Sequence, residues 1–179
     1  PKRQSTRADF DGRAVSAADI STLAQAAQVP EVSLVLFTER SSIDRVRDLI
    51  IAGNTAQMTD PAFVAELKAW MRFNPNAALQ HGDGLFSASS GNPILPGWLA
   101  GPMFDLVFTA DAENQKYVRQ LDTSPGVAVF VGARADPSSW FAVGRACQRF
   151  ALQATALGLK CSFVNQPVEV ASFRPELAT

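Results

Sequence analysis

The stretch from Asp136 to Glu169, DPSSWFAVGRACQRFALQATALGLKCSFVNQPVE, constrains the fold more than any other part of the chain. Trp140, Val143, Gly144, Cys147, Phe150, Ala151, Ala154 and Leu157 recur at three- and four-residue spacing, which places them on one helix face. Asp136 stands where a carboxylate can accept from first-turn amides, and Pro137 where a helix does not need an N–H. Gly158 is the predicted stop, because a residue without Cβ enters left-handed backbone freely. A helix this apolar is expected in the middle of the fold. Its small residues Gly144, Ala151 and Ala154 let a second backbone or a flat ligand approach closely. The segment from Cys161 to Pro167 then emerges with exposed amides and amide side chains, a candidate place for a ligand.

Length and composition narrow the class. A chain of 179 residues, 47% hydrophobic and 18% charged, is enough for one domain with a sizeable core. A net charge of −1 provides no global field to attract nucleic acid or an acidic membrane. No apolar run reaches the roughly 18 residues that a membrane span needs. The single histidine, His81, excludes a His-rich metal site and a serine triad. Cys147 and Cys161 lie in apolar surroundings and read as free packing thiols. A disulfide is not signalled, and no basic cluster surrounds them to make a reactive thiolate. The chain starts at Pro1 without a methionine, so the lack of a targeting segment says little, and cytoplasm and periplasm both stay open.

The opening residues, PKRQSTRADFDGR, alternate cations with hydroxyls: Lys2, Arg3, Arg7 and Arg13 surround Ser5 and Thr6. Guanidinium and hydroxyl groups together suit a phosphate, and a solvated basic terminus is the other reading. Ser16, with Asp19 three residues on, predicts a helix start; Ile20, Leu23, Ala24 and Ala27 form its apolar side. Val32 to Phe37 is predicted as a buried strand. A second helix runs from Ser41 or Ser42 to about Met58, and Asp60-Pro61 opens a third with Phe63, Leu67, Trp70 and Met71 inward. Phe73 to about Asp105 is crowded with Gly, Pro, Asn and Ser and reads as a long loop with hydrophobic anchors, a lid over a site or a wrap around a partner. His81 reads as a surface or loop-capping residue and Asp83-Gly84 as a turn. Leu106 to Phe108 is a short predicted strand, Asp111 to Gln120 a polar helix, and Val127 to Val131 a central strand, being apolar on both faces. A last helix is expected from Ala171, with Glu169 as charge at its N-terminus.

Few strands among several helices predict an α+β or α/β layer fold. No dinucleotide glycine fingerprint, phosphate loop, zinc-protease helix, nucleophile elbow or C-x-x-C occurs. Hydride chemistry in such a chain would need a bound flavin.

Two stretches together resemble the nitroreductase family of FMN-dependent oxidoreductases. Arg3-Gln4-Ser5-Thr6-Arg7, followed by Phe10 and the Val15–Ala27 helix, is similar to that family's opening motif. Trp140, Gly144 and Gln148, then Ala156-Leu157-Gly158-Leu159 and Ser162 to Gln166, are similar to its central helix and the turn beside the flavin ring. More narrowly, ELKAWMRF, DGLF, the GNP loop, QRFALQATALGL and NQPVEV resemble the second half of the Acg-like branch, which includes proteins exported with twin-arginine signals.

The resemblance implies an α+β fold with a mixed or antiparallel sheet flanked by helices around one long buried helix. It implies one nitroreductase-like domain over residues 1–179, with a lid at about 73–105. It assigns FMN phosphate and ribityl contacts to Arg3, Gln4, Ser5 and Arg7, and contacts to the isoalloxazine ring to Asn165 and Gln166 with neighbouring backbone amides. NAD(P)H would be the co-substrate, a nitroaromatic or quinone the electron acceptor, and no protein side chain need act as a nucleophile. Three departures accompany it. Val29-Pro30-Glu31 stands in place of the family's Ser-x-x-Asn-x-Gln-Pro-Trp segment, the family's C-terminal strand would lie beyond Thr179, and no first half precedes Pro1. Since FMN in this family lies between two interlocked subunits, a homodimer or a missing half would complete the site. A lidded protein that sequesters flavin without turnover, and a half-domain whose role is dimerisation, are the alternatives.

Overall fold

The computed structural model describes residues 3–90, 92, 94–96, 98–99, 103–104, 106 and 108–177. Lys2 of the basic opening, and Gly91 and Pro93 of the GNP loop, lie outside the described residues. The chain forms two compact units, Pro1–Asp44 with Asp122–Phe163, and Arg45–Leu121 with Val164–Thr179. The architecture is α+β, as expected.

In the first unit, α1 (Ala17–Ala26) starts at Ser16, whose Oγ accepts the Asp19 amide at 3.1 Å. The Asp19 carboxylate takes the Ser16 hydroxyl at 2.7 Å instead of reaching the backbone, so the cap forms with the shorter acid. β1 (Val32–Phe37) pairs antiparallel with β4 (Val127–Gly132), Val32 opposite Gly132 and Phe37 opposite Val127. β4 is not a central strand as expected. Among the described residues it pairs only with β1, and Val131 is 47% exposed. An apolar run marks burial potential, but a neighbouring strand must exist to realise it.

The long helix of the sequence reading is α6 (Pro137–Ala156). Asp136 caps it by accepting the Ser139 amide at 2.8 Å. Gly158 ends it at φ +75°, and the Leu159 amide reaches back to the Ala154 carbonyl at 2.8 Å, the closure that a left-handed residue permits. Helix α6 packs on β4, β1 and α1 through buried Ala146, Ala151 and Ala154, with Phe150 edge-on to Phe130 at 5.6 Å. Only part of its apolar surface is covered: Trp140 in the first turn is 63% exposed and Phe141 is 72% exposed. A two-stranded ribbon is too narrow to cover more. Before the helix, Arg134 grips Glu31 with both Nη atoms at 2.9 and 3.0 Å and Asp136 through Nε at 3.0 Å.

α2 (Arg40–Thr59) begins in the first unit and continues in the second. Its second-unit part buries Val46 and Ile50, and also the polar Asn54 and Gln57. α3 (Pro61–Trp70) is capped by Asp60, which accepts the Ala62 amide at 2.9 Å. Met71 is buried as expected, but Trp70 is 50% exposed, since α3 buries no residue fully. The stretch from Phe73 is more regular than expected. β2 (Met71–Arg72) pairs in parallel with β3 (Leu85–Phe86), α4 (Pro75–His81) lies between them in sequence, and a 3-10 turn follows at Ser87–Ser90. Arg72 and Asp83 pair at 2.7 Å across this small motif, and the His81 ring contacts the Ala77 carbonyl at 2.9 Å.

The strand expected at Leu106–Phe108 does not form: Leu106 is helical, and the Phe108 amide donates to the Phe104 carbonyl at 2.8 Å. Stacking of Phe104 on Phe108 at 4.4 Å, four residues apart, favours that helical turn; Val107 lies outside the described residues. α5 (Ala110–Asp122) follows. The C-terminal part holds α7 (Gln166–Glu169), a 3-10 turn at Ala171–Phe173, and α8 (Arg174–Leu177). The helix expected from Ala171 is therefore split, and a helical turn precedes it, with extended Val170 between.

Candidate functional site

The opening segment lies in the first unit. The Thr6 amide donates to the Cys161 carbonyl at 2.8 Å, and Ser5 forms an isolated parallel bridge with Cys161. This main-chain link, with the Phe10 amide donating to Thr123 Oγ1 at 3.0 Å, holds the segment in place. Within the segment, Thr6 Oγ1 accepts the Ala8 amide at 3.3 Å and Arg13 pairs with Asp11 at 2.6 Å. Ser5 Oγ is buried and has no hydrogen-bond partner. Arg3, half-buried, and Arg7, exposed, make no ion pair or hydrogen bond to any described residue, and Gln4 is exposed. A buried hydroxyl without a partner costs stability, because it has lost water and gained nothing.

The two cysteines flank the same segment and are free. Burial raises the Cys147 thiol, and burial together with the neighbouring Cys147 raises the Cys161 thiol. Arg3 pulls both the other way, more weakly than burial. Arg3 is a single cation and not a basic cluster, and the reading of both thiols as unreactive packing groups agrees with the dominance of burial. Arg3 is 144 residues from Cys147 in sequence, so only the fold could reveal this proximity.

Asn165 and Gln166 lie in the second unit, at the start of α7. Gln166 is 8% exposed, its Nε2 lies 2.6 Å from the Tyr117 hydroxyl, and its Oε1 is buried without a partner. Gly53 of α2 packs on the Gln166 backbone. Asn165 is exposed and donates from Nδ2 to Glu169 Oε1 at 2.6 Å, while buried Gln57 donates to Glu169 Oε2 at 2.7 Å. Asn54 and Thr55 of α2 bond Asn114 of α5 at 2.8 and 2.9 Å, adding a further polar tie within this unit. A cleft of about 320 Å³, lined by Ala56, Gln57, Asp60, Phe63, Glu169 and Val170, adjoins this group. Its carboxylates repel phosphate, so an anionic group has no place there.

Among the described residues, Ser5 Oγ and Gln166 Oε1 are the buried side-chain polar atoms without a partner. Both belong to residues selected from the sequence. The profile of the Nitroreductase family matches residues 1–177. The chain belongs to the nitroreductase family. Searches of curated proteins and of solved structures found no match.

Membership in the nitroreductase family agrees with the α+β architecture. Sequence reasoning missed Gly53, Gln57 and Tyr117, and took Glu169 for charge on a later helix. Tyr117, the single tyrosine, and Gly53, a glycine inside a long helix, were the available signals. No helix of the described residues is long and apolar enough to cross a membrane. Among them, no group of three or more His, Cys, Asp or Glu side chains could hold a metal.

Proposed function

We propose that this nitroreductase-family chain is an FMN-dependent oxidoreductase that uses NAD(P)H. The carrying observation is the pair of orphaned buried atoms, Ser5 Oγ and Gln166 Oε1, each on a residue that the family pattern assigns to flavin. Polar atoms that have given up water without a protein partner fit a ligand that supplies one. The chemistry of the groups also fits. Arg3 and Arg7, unclaimed by any described carboxylate, have guanidinium N–H groups for a phosphate, and Ser5 adds a hydroxyl donor; Gln4 adds an amide for the ribityl chain. Asn165 and Gln166 contribute amide groups toward the ring.

When bound, FMN would supply the hydride chemistry between NAD(P)H and a nitroaromatic or quinone-like acceptor. The protein's residues bind and orient. Arg3 and Arg7 would neutralise phosphate charge, Ser5 would fix its direction, and the side chains of Asn165 and Gln166 would meet the ring. The exposed Trp140 and Phe141 on α6 support a second subunit as the element that completes the site.

An absorbance spectrum of the full chain, before and after anaerobic NADPH, tests the proposal. Flavin bands that bleach are expected. Bands that persist would favour sequestration, and no flavin binding after FMN is added back would overturn the assignment of Arg3, Gln4, Ser5 and Arg7.

A further inference from the structure

Asn165 occupies the position before α7 where an asparagine side chain ordinarily accepts a first-turn amide, yet it makes no such bond. Its Nδ2 is committed to Glu169 Oε1 at 2.6 Å, and Gln57 Nε2 holds the other Glu169 oxygen at 2.7 Å. An ionised carboxylate only accepts, so the group facing Glu169 is the amide NH2 and the Asn165 carbonyl is turned away. No described residue donates to that Oδ1. The main chain is held as well: the Asn165 carbonyl accepts the Val168 and Glu169 amides at 2.9 and 3.1 Å. Gln166 repeats the pattern, with Nε2 on the Tyr117 hydroxyl and Oε1 buried without a partner. Both amide side chains therefore have their nitrogens engaged and their oxygens unpartnered. What the two side chains have to offer a ligand is therefore an acceptor oxygen.

We infer that Glu169 is a positioning residue that fixes Asn165 as a hydrogen-bond acceptor for the imide N–H at the pyrimidine edge of the flavin ring. The inference rests on the FMN reading above. N3–H is the ring's N–H donor in the oxidised state, between two carbonyl acceptors. An unrestrained asparagine could present NH2 or C=O toward that edge. Glu169 removes the choice, because a flipped amide would set Oδ1 against a carboxylate. Gln57, 8% exposed on α2, keeps the Glu169 carboxylate in place.

The test is a pair of binding titrations, by flavin fluorescence, with FMN and with N3-methyl-FMN on the full chain. The wild type is expected to prefer FMN by about tenfold, the effect of one unmade hydrogen bond. Glu169→Gln, which lets the Asn165 amide turn either way, is expected to reduce the preference to below about threefold, with the thermal midpoint unchanged. Asn165→Ala, at an exposed position, is expected to do the same. A merely structural Glu169 would weaken both flavins equally and leave the ratio intact. Equal binding of the two flavins by the wild type, or a wild-type ratio in Glu169→Gln, overturns the inference while FMN binding stands. Absence of FMN binding in the wild type overturns the FMN reading itself.

Discussion

Gly53 and Gln166 pack so closely that a Cβ on Gly53 would lie 3.0 Å from the Gln166 carbonyl carbon and 3.1 Å from the Gln166 Cβ and the Pro167 nitrogen. These neighbours are mostly backbone, which cannot swing aside as the end of a flexible side chain can. Gly53 is thus the reason α7 can approach α2, and it explains a glycine in the interior of a twenty-residue helix.

Gly53→Ala sets two effects against each other. Alanine favours the helix by about 0.5–1 kcal/mol, whereas overpacking against backbone costs about 1–3 kcal/mol. The net expectation is a loss of about 1 kcal/mol, measured as a lower urea midpoint at unchanged slope. On the proposed assignment of Gln166 to the flavin ring, its displacement should also weaken FMN binding. A stabilised variant with unchanged flavin affinity would show that α7 yields freely.

Asp136 governs the acid side of the stability profile. The Ser139 amide, and after it the Arg134 guanidinium, hold the Asp136 carboxyl below its usual value. A folded pKa below the unfolded one means that the unfolded chain binds protons first as pH falls. The contribution is complete above the unfolded carboxylate value and fades as pH falls through the folded one. Asp136→Ala should therefore melt lower than wild type at neutral pH, with the gap closing in acid. A gap independent of pH would exclude the charged cap as its source.

Cys147 and Cys161 should react slowly with a disulfide reagent at pH 8. The thiolate is the nucleophile, and burial raises both thiols above their ordinary value. Denaturant should accelerate labelling at least about tenfold. For stability the sign is opposite to that of Asp136: the native state keeps its thiol protons longer, so stability falls as pH rises past the unfolded thiol value. Labelling of the native protein as fast as the denatured one would mean that Arg3, not burial, controls these sulfurs.

The sequence was most legible where a signal acts over a few residues. Ser16, Asp60, Asp136 and Gly158 mark element ends because each cap or stop is a local hydrogen bond or backbone preference. Trp70, Trp140 and β4 misled because apolar character does not say what will cover it. The surroundings of the candidate ring contacts were illegible for another reason. Gln166 meets Tyr117 across 49 residues and Glu169 meets Gln57 across 112, and no spacing rule spans such distances. The opening motif lay between these cases. The alternation of arginine and serine was visible, but its anchorage on the Cys161 main chain was not.

Ser5→Ala separates a ligand contact from a structural hydroxyl by the sign of two measurements. Ser5 Oγ is buried without a partner, so removing it from the flavin-free protein relieves an unsatisfied group. The FMN-free variant should be as stable as wild type or more stable by up to about 1 kcal/mol. If Ser5 meets the phosphate as proposed, the same change removes a donor in the FMN-bound protein, and affinity should fall by about tenfold. The main-chain bridge to Cys161 does not involve the side chain and should keep the segment in place. A gain in FMN-free stability with a loss of affinity is the combination that a phosphate-binding Ser5 requires. A loss of stability with unchanged affinity would mean that the hydroxyl serves the fold, and would remove Ser5 from the proposed site.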